Sequence, residues 1–147
     1  MNILAIGAHP DDLEMMCGGT LAKYAAQGNK VFMVHVSTGN VGHMVIPPDE
    51  LIKIRGREAQ EAGALIGAEV ISLGESDLFI RADNMKSRDK VIDLIRYTRP
   101  DVIITHSPHD YMDDHEQTSE LVYEASMAAT VPHHKTQHPF YGRLTPI

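Results

Sequence analysis

The sequence predicts an α/β fold: a Rossmann-like, doubly wound and mainly parallel sheet with helices on both faces. Two observations predict it. Short segments that are apolar throughout recur along the chain, and each is followed by a segment with the apolar spacing of an amphipathic helix. A strand that is apolar on both faces must be covered on both faces, which is the usual environment of a strand in a parallel sheet.

Four segments are predicted as strands. Each is a short run rich in aliphatic and β-branched side chains, which suit a buried pleated surface. They comprise residues 2–6, 31–36, 70–73 and 101–105. Right-handed crossovers favour the strand order 3-2-1-4, in which the first and fourth strands are neighbours and the order reverses between them.

Four helices are predicted, over residues 19–27, 50–66, 87–98 and 116–129. Gly28 and Gly67 stand where the first two should end, because glycine tolerates the left-handed backbone found at helix C-termini. The segment STGNVGHMVIPPDE contains two glycines and two adjacent prolines, and it is predicted as an irregular loop. No repeat or linker divides the chain, so we expect one domain over residues 1–147.

The composition excludes several classes of function. The chain is 43% hydrophobic and 22% charged, which is ordinary for a globular domain. Its net charge of −7 argues against nucleic acid or an anionic membrane as the main partner. We expect neither a membrane span nor a signal peptide, since no long apolar segment and no basic leader are present. A single cysteine, Cys17, excludes an internal disulfide and suits a cytoplasmic protein.

Histidines and acids are concentrated in two loops that the predicted topology brings together. Ligands of doubly wound sheets bind outside the carboxyl ends of the strands, where the strand order reverses. The two loops that meet there read AHPDDLE and HSPHDYMDDHE. Two imidazoles and one carboxylate, with a fourth position left for water, match a catalytic zinc site. A solvated turn or a helix N-cap is the simpler explanation for one Asp-Asp pair. It explains less well why two loops rich in histidine and acid should meet in one crevice.

Asp11 and Asp12 are adjacent and cannot easily both bind one ion. A natural division makes one of them a metal ligand and the other the general base that takes a proton from the attacking water. The residues alone leave open which carboxylate has which role.

The motif AHPDDLE, followed by CGGTLAKY and a distant DDH, resembles the LmbE/PIG-L family of zinc-dependent N-acetylglucosamine deacetylases, in its bacterial, bacillithiol-type branch. The resemblance covers nearly the whole chain. IRGREAQEAGALIGAEVISLGESD is similar to the family's Arg-x-x-Glu helix, Leu-Gly turn and following Asp, and RPDVIITHSPHDYMDDH is similar to its last strand and histidine loop.

The resemblance implies a hydrolase that binds one Zn2+ per chain and removes an acetyl group from a small-molecule N-acetylated sugar or glycoconjugate. His9, Asp12 and His115 become the zinc ligands, and Asp11 becomes the general base. Imidazole and carboxylate also accept iron, manganese or cobalt. The residues expected to bind the substrate are Arg55, Asp77, Gly42 and Tyr111. His109 is expected to be a second catalytic group.

One departure from the family concerns catalysis. The family usually has His-Pro-Asp-His in the second loop, and its first histidine is thought to contact the oxyanion of the tetrahedral intermediate; this chain has Met112 there. A thioether cannot donate a hydrogen bond, and one missing donor can cost about 2.7–4 kcal/mol in the barrier. We expect His109, His106 or Tyr111 to substitute. The alternatives are a non-catalytic sugar-binding relative and a magnesium-dependent receiver-like signalling domain, although the latter has no role for three histidines.

The second departure is length. Relatives usually continue further, so we expect the chain to lack the C-terminal part usual in the family. The final residues FYGRLTPI resemble the start of another strand, and an exposed strand edge beside them favours pairing with another copy in a homo-oligomer.

Overall fold

A single parallel sheet forms the centre of the protein, whose computed structural model describes residues 1–147. Its strands are β1 (Asn2–Gly7), β2 (Lys30–Ser37), β3 (Glu69–Glu75) and β4 (Val102–Ile104). They lie in the order β3-β2-β1-β4, and every neighbouring pair is parallel. The predicted α/β fold and strand order are therefore confirmed.

Five helices accompany the sheet: α1 (Asp12–Met16), α2 (Gly18–Ala26), α3 (Pro48–Ile66), α4 (Met85–Thr98) and α5 (Asp113–Ala128). The sequence predicts the last four. It does not predict α1, because a helix of five residues is too short to show a periodic apolar pattern. None of the helices combines the length and apolar character that a transmembrane span requires.

Helix α5 begins three residues before its predicted start, at Asp113 instead of residue 116. Three acids lie in its first turn, where carboxylates interact favourably with the helix dipole and with unpaired backbone N–H groups. This earlier start places Asp114 and His115 on the helix, and so orients them rigidly towards the carboxyl ends of β1 and β4.

The sheet is covered on both faces, as a doubly wound fold requires. Alternate residues of β1 point to opposite sides: Leu4 and Ile6 join the core beneath α4 and α5, whereas Ile3 and Ala5 join a second core with Leu21 of α2. All five side chains are fully buried. The two cores hold β1 at the centre of the molecule, which fixes the position of the loop that follows it.

The segment after α5 is attached to α4 by the buried side chain of Arg96. Its guanidinium donates hydrogen bonds to the carbonyl oxygens of Ala129 at 3.1 Å and His134 at 2.8 Å. The last residues run beside β4, where the Ile103 N–H donates to the Pro146 carbonyl at 2.9 Å. They make this one strand-like hydrogen bond but form no regular strand.

Candidate metal centre

The loops after β1 and β4 share one cleft at the carboxyl ends of the strands, as the strand order predicts. The cleft contains a cavity of about 570 Å³. Residues from the first three βα loops, from helices α1, α3 and α5 and from the segment between β4 and α5 line it, among them His9, Asp11, Asp12, Gly39, Gly42, His43, Arg55, Asp77, Leu78, His106, Asp110, Tyr111, Met112 and His115.

Three of these residues form a compact cluster of metal-ligating groups. His9, Asp12 and His115 each offer one ligand atom, and these atoms lie within 4.8 Å of one another. Asp12 Oδ2 is 3.4 Å from His9 Nδ1, and Asp12 Oδ1 is 3.4 Å from His115 Nε2. The residues come from the first loop and from helix α5, more than 100 positions apart in sequence.

The donor atoms of this cluster suit a divalent cation. His115 Nε2 is buried and has no hydrogen-bond partner, although a buried ring nitrogen normally has one. Two imidazoles and a carboxylate are a donor set that zinc and other first-row metals accept. The unpartnered nitrogen facing a carboxylate oxygen is therefore explained if both atoms serve a cation.

Two further carboxylates orient the imidazoles from behind. Asp110 Oδ1 lies 3.1 Å from His115 Nδ1, and Asp114 Oδ2 lies 2.9 Å from His9 Nε2. A carboxylate that accepts the proton of one ring nitrogen leaves the lone pair of the other nitrogen free for a metal. In both rings that free nitrogen is the one nearest Asp12. Sequence reasoning did not assign roles to Asp110 and Asp114, and the only signal was the density of acids around the histidines.

His106 packs against the cluster, with its ring stacked on that of His115 at a centroid distance of 4.0 Å. Its Nε2 lies 2.9 Å from the Ala8 amide nitrogen and 3.2 Å from Asp12 Oδ2. One nitrogen cannot accept from the amide and donate to the carboxylate at once, so a neutral His106 ring satisfies only one of these two contacts. His106, Asp110 and His115 form a second group with metal-ligating potential, which shares His115 with the first.

The charges of the cluster favour a cation. Burial by itself would lower the pKa of His9, but the carboxylates of Asp12 and Asp114 outweigh it and raise that pKa to about 9. Burial would raise the pKa of Asp12, but the rings of His106 and His9 and the His9 amide outweigh it, and the pKa of Asp12 lies far below its usual range. The site therefore stabilises ionised carboxylates and positive charge between them.

Asp11 is not a member of this cluster although it is adjacent to Asp12. Its backbone has a φ of 141°, a value that L-residues rarely adopt, and it precedes the first turn of α1. Arg55 of α3 donates to the Asp11 carboxylate and to the Pro10 carbonyl oxygen. The guanidinium thus holds both the strained turn and the carboxylate at the wall of the cavity.

Asp77 is buried and shapes the loop after β2. Its two carboxylate oxygens accept hydrogen bonds from the Gly39 amide at 2.8 Å and the Val41 amide at 3.1 Å. Gly39 has a φ of 74°, and a Cβ there would lie 3.2 Å from Arg55 Cγ, so this position combines left-handed backbone with a close approach. These contacts hold the loop against the cavity.

The remaining predicted residues have different positions. Gly42, Tyr111 and Met112 line the cavity, and Tyr111 is 88% exposed. His109 is exposed and is not among the residues that line the cavity.

The arrangement can hold a divalent cation beside a carboxylate that is not needed as a ligand. His9, Asp12 and His115 would bind the ion, and Asp11 stands at the same cavity with its own cationic partner. These are the groups needed to activate a water and to remove its proton.

Comparison with known proteins identifies what the chain is similar to. The family model of PIG-L, described as GlcNAc-PI de-N-acetylase, matches residues 4–126. A 1D-myo-inositol 2-acetamido-2-deoxy-alpha-D-glucopyranoside deacetylase from Thermomonospora curvata is 30% identical over 179 residues. That alignment covers 98% of this chain and 60% of the relative.

Two solved structures share the fold. The 4-carboxy-2-hydroxymuconate hydratase of Pseudomonas putida has a TM-score of 0.88 at 26% identity, covering 99% of this chain and 64% of that one. The N,N'-diacetylchitobiose deacetylase of Pyrococcus horikoshii has a TM-score of 0.83 at 26% identity, covering 89% of this chain and 51% of that one. The chain spans between about half and two thirds of the length of these three proteins.

Proposed function

Since the chain belongs to the PIG-L family of GlcNAc-PI de-N-acetylases, we propose that it is a metal-dependent amide hydrolase that removes an acetyl group from an N-acetylglucosamine-type substrate. The observation that carries this proposal is the cluster of His9, Asp12 and His115, with the buried and unpartnered Nε2 of His115 facing Asp12. The deacetylase relatives support the choice of an acetamido sugar as substrate.

His9, Asp12 and His115 would hold one divalent ion, with zinc the first candidate for this donor set. When bound, such an ion supplies Lewis-acid polarisation of the amide carbonyl and lowers the pKa of water to about 7. Asp110 and Asp114 keep the two imidazoles in the tautomers and orientations that ligation needs.

Asp11 is proposed as the general base. Its carboxylate accepts a proton from the water that attacks the amide carbon, and Arg55 keeps that carboxylate in place. When the C–N bond breaks, Asp11 returns that proton to the leaving nitrogen, and the products are a free amine and acetic acid, which keeps the second proton of the water and then ionises to acetate. One residue therefore acts as base and then as acid, and the proton count balances.

The sugar is proposed to contact Gly42 and Tyr111, which line the cavity beside the cluster. Arg55 and Asp77 have other partners: Arg55 binds Asp11 and Pro10, and both oxygens of Asp77 bind loop amides. We infer that these two residues act on the substrate indirectly, by positioning the base and the loop.

Hydration of an unsaturated carboxylic acid is a second candidate. The hydratase of Pseudomonas putida superposes on 99% of the chain with a TM-score of 0.88. Addition of water to a C=C bond also needs an activated water and a base, so the same residues would serve both reactions. A receiver-like signalling function finds no support. The family match is to a deacetylase family, and Asp77, which would be the phosphoacceptor of a receiver, has both carboxylate oxygens bound to backbone amides.

The test begins with the metal content of the purified protein, measured by elemental analysis after growth with zinc. The zinc-loaded protein is then assayed for acetate release from N-acetylated sugars and, separately, for loss of the ultraviolet absorbance of unsaturated dicarboxylic acids. Acetate release would support the proposed deacetylase activity, and loss of ultraviolet absorbance would support the hydratase activity. Sugar binding without either reaction would identify a non-catalytic relative, and a folded protein that takes up no metal would contradict both enzymes.

A further inference from the structure

Exposed apolar side chains line the cavity that contains the candidate metal cluster. Five of them are each between 44% and 88% exposed, and together they are called the apolar rim: Met15, Met16, Val41, Leu78 and Tyr111. They come from helix α1 and from the segments after β2, β3 and β4, so all four connections at this edge of the sheet contribute. Single exposed apolar residues are common on protein surfaces, but a group of them around one cavity indicates a place where a ligand binds.

The apolar rim is joined to the metal cluster by short contacts. The ring of Tyr111 lies edge-on to that of His115, with the ring centroids 5.7 Å apart. The Leu78 amide donates to Asp114 Oδ2 at 2.7 Å, and the same oxygen lies 2.9 Å from His9 Nε2. A molecule whose reacting group lies at the cluster therefore reaches the rim.

Packing within the protein does not explain the side chain of Leu78. Its backbone has a φ of 68°, in the left-handed region that leucine rarely adopts, and its side chain is exposed. An exposed leucine gains little from burial of its own surface, so the sequence retains an apolar group there without benefit to the core. A ligand that packs against this side chain would explain both features.

The cavity offers no free lysine or arginine to an anionic ligand. Arg55 is the only residue of either type that lines it, and its guanidinium donates to Asp11, to Glu58 and to the Pro10 carbonyl oxygen. A carboxylate or phosphate placed away from the cluster would find no such partner there, and it would meet charge of its own sign. Four aspartates line the same cavity: Asp11, Asp12, Asp77 and Asp110.

We propose that the apolar rim binds an uncharged apolar substituent, an alkyl or aryl aglycone, on the acetamido sugar whose amide reacts at the cluster. The inference deepens the proposed deacetylase function and rests on it. Rim and cluster share one cavity, which favours two parts of one molecule over a separate partner. A second copy or a membrane seated on the rim would cover the cavity, and the net charge of −7 disfavours an anionic membrane.

Three acetamido sugars that differ only at the anomeric carbon test the inference: the hexyl glycoside, the methyl glycoside and the 1-phosphate of N-acetylglucosamine. Both anomers of each are supplied to the zinc-loaded protein, and acetate release gives kcat/KM. We expect the hexyl glycoside to exceed the methyl glycoside at least tenfold, because burial of about two methylene groups is worth that factor, and the 1-phosphate to fall below both. A hexyl value no higher than the methyl value, or a preference for the 1-phosphate, would overturn the inference and leave the deacetylase function intact.

Substitutions in the rim locate the binding site of the substituent. Met15→Gln combined with Met16→Gln replaces two thioethers by amides of similar size at exposed positions. We expect the ratio of the hexyl to the methyl kcat/KM to fall at least fivefold. Met127→Gln is the matched control: it is also exposed and lies on a helix, but it does not line the cavity, so the wild-type ratio should remain. If the double variant also kept that ratio, the assignment of the rim would be overturned.

A binding measurement without turnover separates failure of this inference from failure of the proposed reaction. The methionine methyl groups are labelled with ¹³C, and the hexyl glycoside is titrated into the protein. We expect the signals of Met15 and Met16, identified by their loss in the glutamine variants, to move while that of Met127 stays in place. Movement without acetate release would contradict the deacetylase and support the rim as a site for an apolar sugar derivative, whereas stationary signals would overturn the inference whether or not acetate is released.

Sedimentation velocity tests a second copy as the occupant. The inference predicts that Met15→Gln with Met16→Gln leaves the oligomeric state unchanged. A wild-type dimer that dissociates in this double variant would assign the rim to a second copy of the chain and would overturn the inference.

Discussion

Two adjacent aspartates have separate environments because the backbone between them is strained. The φ of 141° at Asp11 is a conformation that costs on the order of 1–3 kcal/mol in a non-glycine residue. It turns the Asp11 carboxylate to the cavity wall, where Arg55 binds it, while Asp12 faces the imidazoles. Such strain is typical of functional sites, and here it separates a candidate base from a candidate ligand.

Asp11→Asn tests the proposed base. The amide cannot accept a proton, so we expect turnover to fall about 100- to 10,000-fold, while zinc content stays the same because His9, Asp12 and His115 are unchanged. The control is Glu58→Gln, which removes the other carboxylate bound by Arg55 but lies outside the cavity lining. Retention of wild-type turnover by Asp11→Asn would exclude it as the base.

Asp114→Asn and Asp110→Asn test the carboxylates behind the imidazoles. Each change weakens the contact that orients His9 or His115, and we expect zinc affinity to fall about 10- to 100-fold, measured by competition with a chelator. Asp113→Asn is the matched control: it lies beside Asp114 in the same turn but pairs with Arg81 at the surface. Equal affinity in all three variants would contradict the orienting role.

At the scale of elements, the site depends on how the loop after β2 packs against α3. Asp77, two residues after β3, binds the loop amides, and Gly39 lets the loop approach Arg55 and Pro10. The irregular loop of the sequence prediction is therefore an ordered wall of the cavity. Its glycines contributed to the prediction of an irregular backbone, and one of them, Gly39, also permits a close contact.

Gly39→Ala should disturb this packing. The residue has left-handed φ, where a Cβ costs about 1–2 kcal/mol, and the new Cβ would lie 3.2 Å from both Arg55 Cγ and Pro10 Cδ. We expect a loss of about 1–3 kcal/mol in the free energy of unfolding, measured with urea. Gly19→Ala is the control: it is helical, meets no atom within 4 Å, and should stabilise by about 0.5–1 kcal/mol. If Gly39→Ala left the free energy of unfolding unchanged, the loop could not be packed as described.

At the scale of the whole molecule, the segment after α5 returns to α4 through polar contacts. Besides Arg96, Asp93 of α4 accepts the His138 amide at 2.7 Å and lies 3.0 Å from His138 Nδ1. Burial alone would raise the pKa of Asp93, but the hydrogen bonds from His138 and Thr136 outweigh it and lower that pKa. The segment is thus held by an ionised carboxylate.

The attachment of this segment should weaken in acid. Because the pKa of Asp93 is lower in the folded than in the unfolded state, its stabilisation is complete above about pH 5 and is lost as the pH falls through the folded value. Asp93→Asn should therefore be less stable than the wild type at pH 6, and the difference should shrink towards pH 3 in thermal melts. Asp83→Asn, at an exposed position, should show no such convergence. If the difference in stability between Asp93→Asn and the wild type stayed constant from pH 6 to pH 3, ionisation of Asp93 would not contribute to stability as proposed.

Much of the site could be predicted because its residues lie in two recognisable loops. His9, Asp12 and His115 converge as expected, since parallel strands present their carboxyl ends at one edge. The contacts of Arg55 and Asp77 could not be predicted, because a long or acidic side chain near a cavity can reach either a substrate or its own backbone. The start of α5 was missed because the charged residues of its first turn show no apolar period, and α1 was missed because five residues are too few to show one.

The sequence by itself determined the parallel sheet, its order and the edge at which the two histidine loops meet. Continuous apolar runs must be buried on both faces, and right-handed crossovers then allow few arrangements. Only the tertiary structure decided which imidazole nitrogen faces Asp12 and which carboxylates stand behind the rings. These depend on hydrogen bonds of about 3 Å, some of them between residues far apart in the chain, and no periodicity of the sequence encodes a separation of that size.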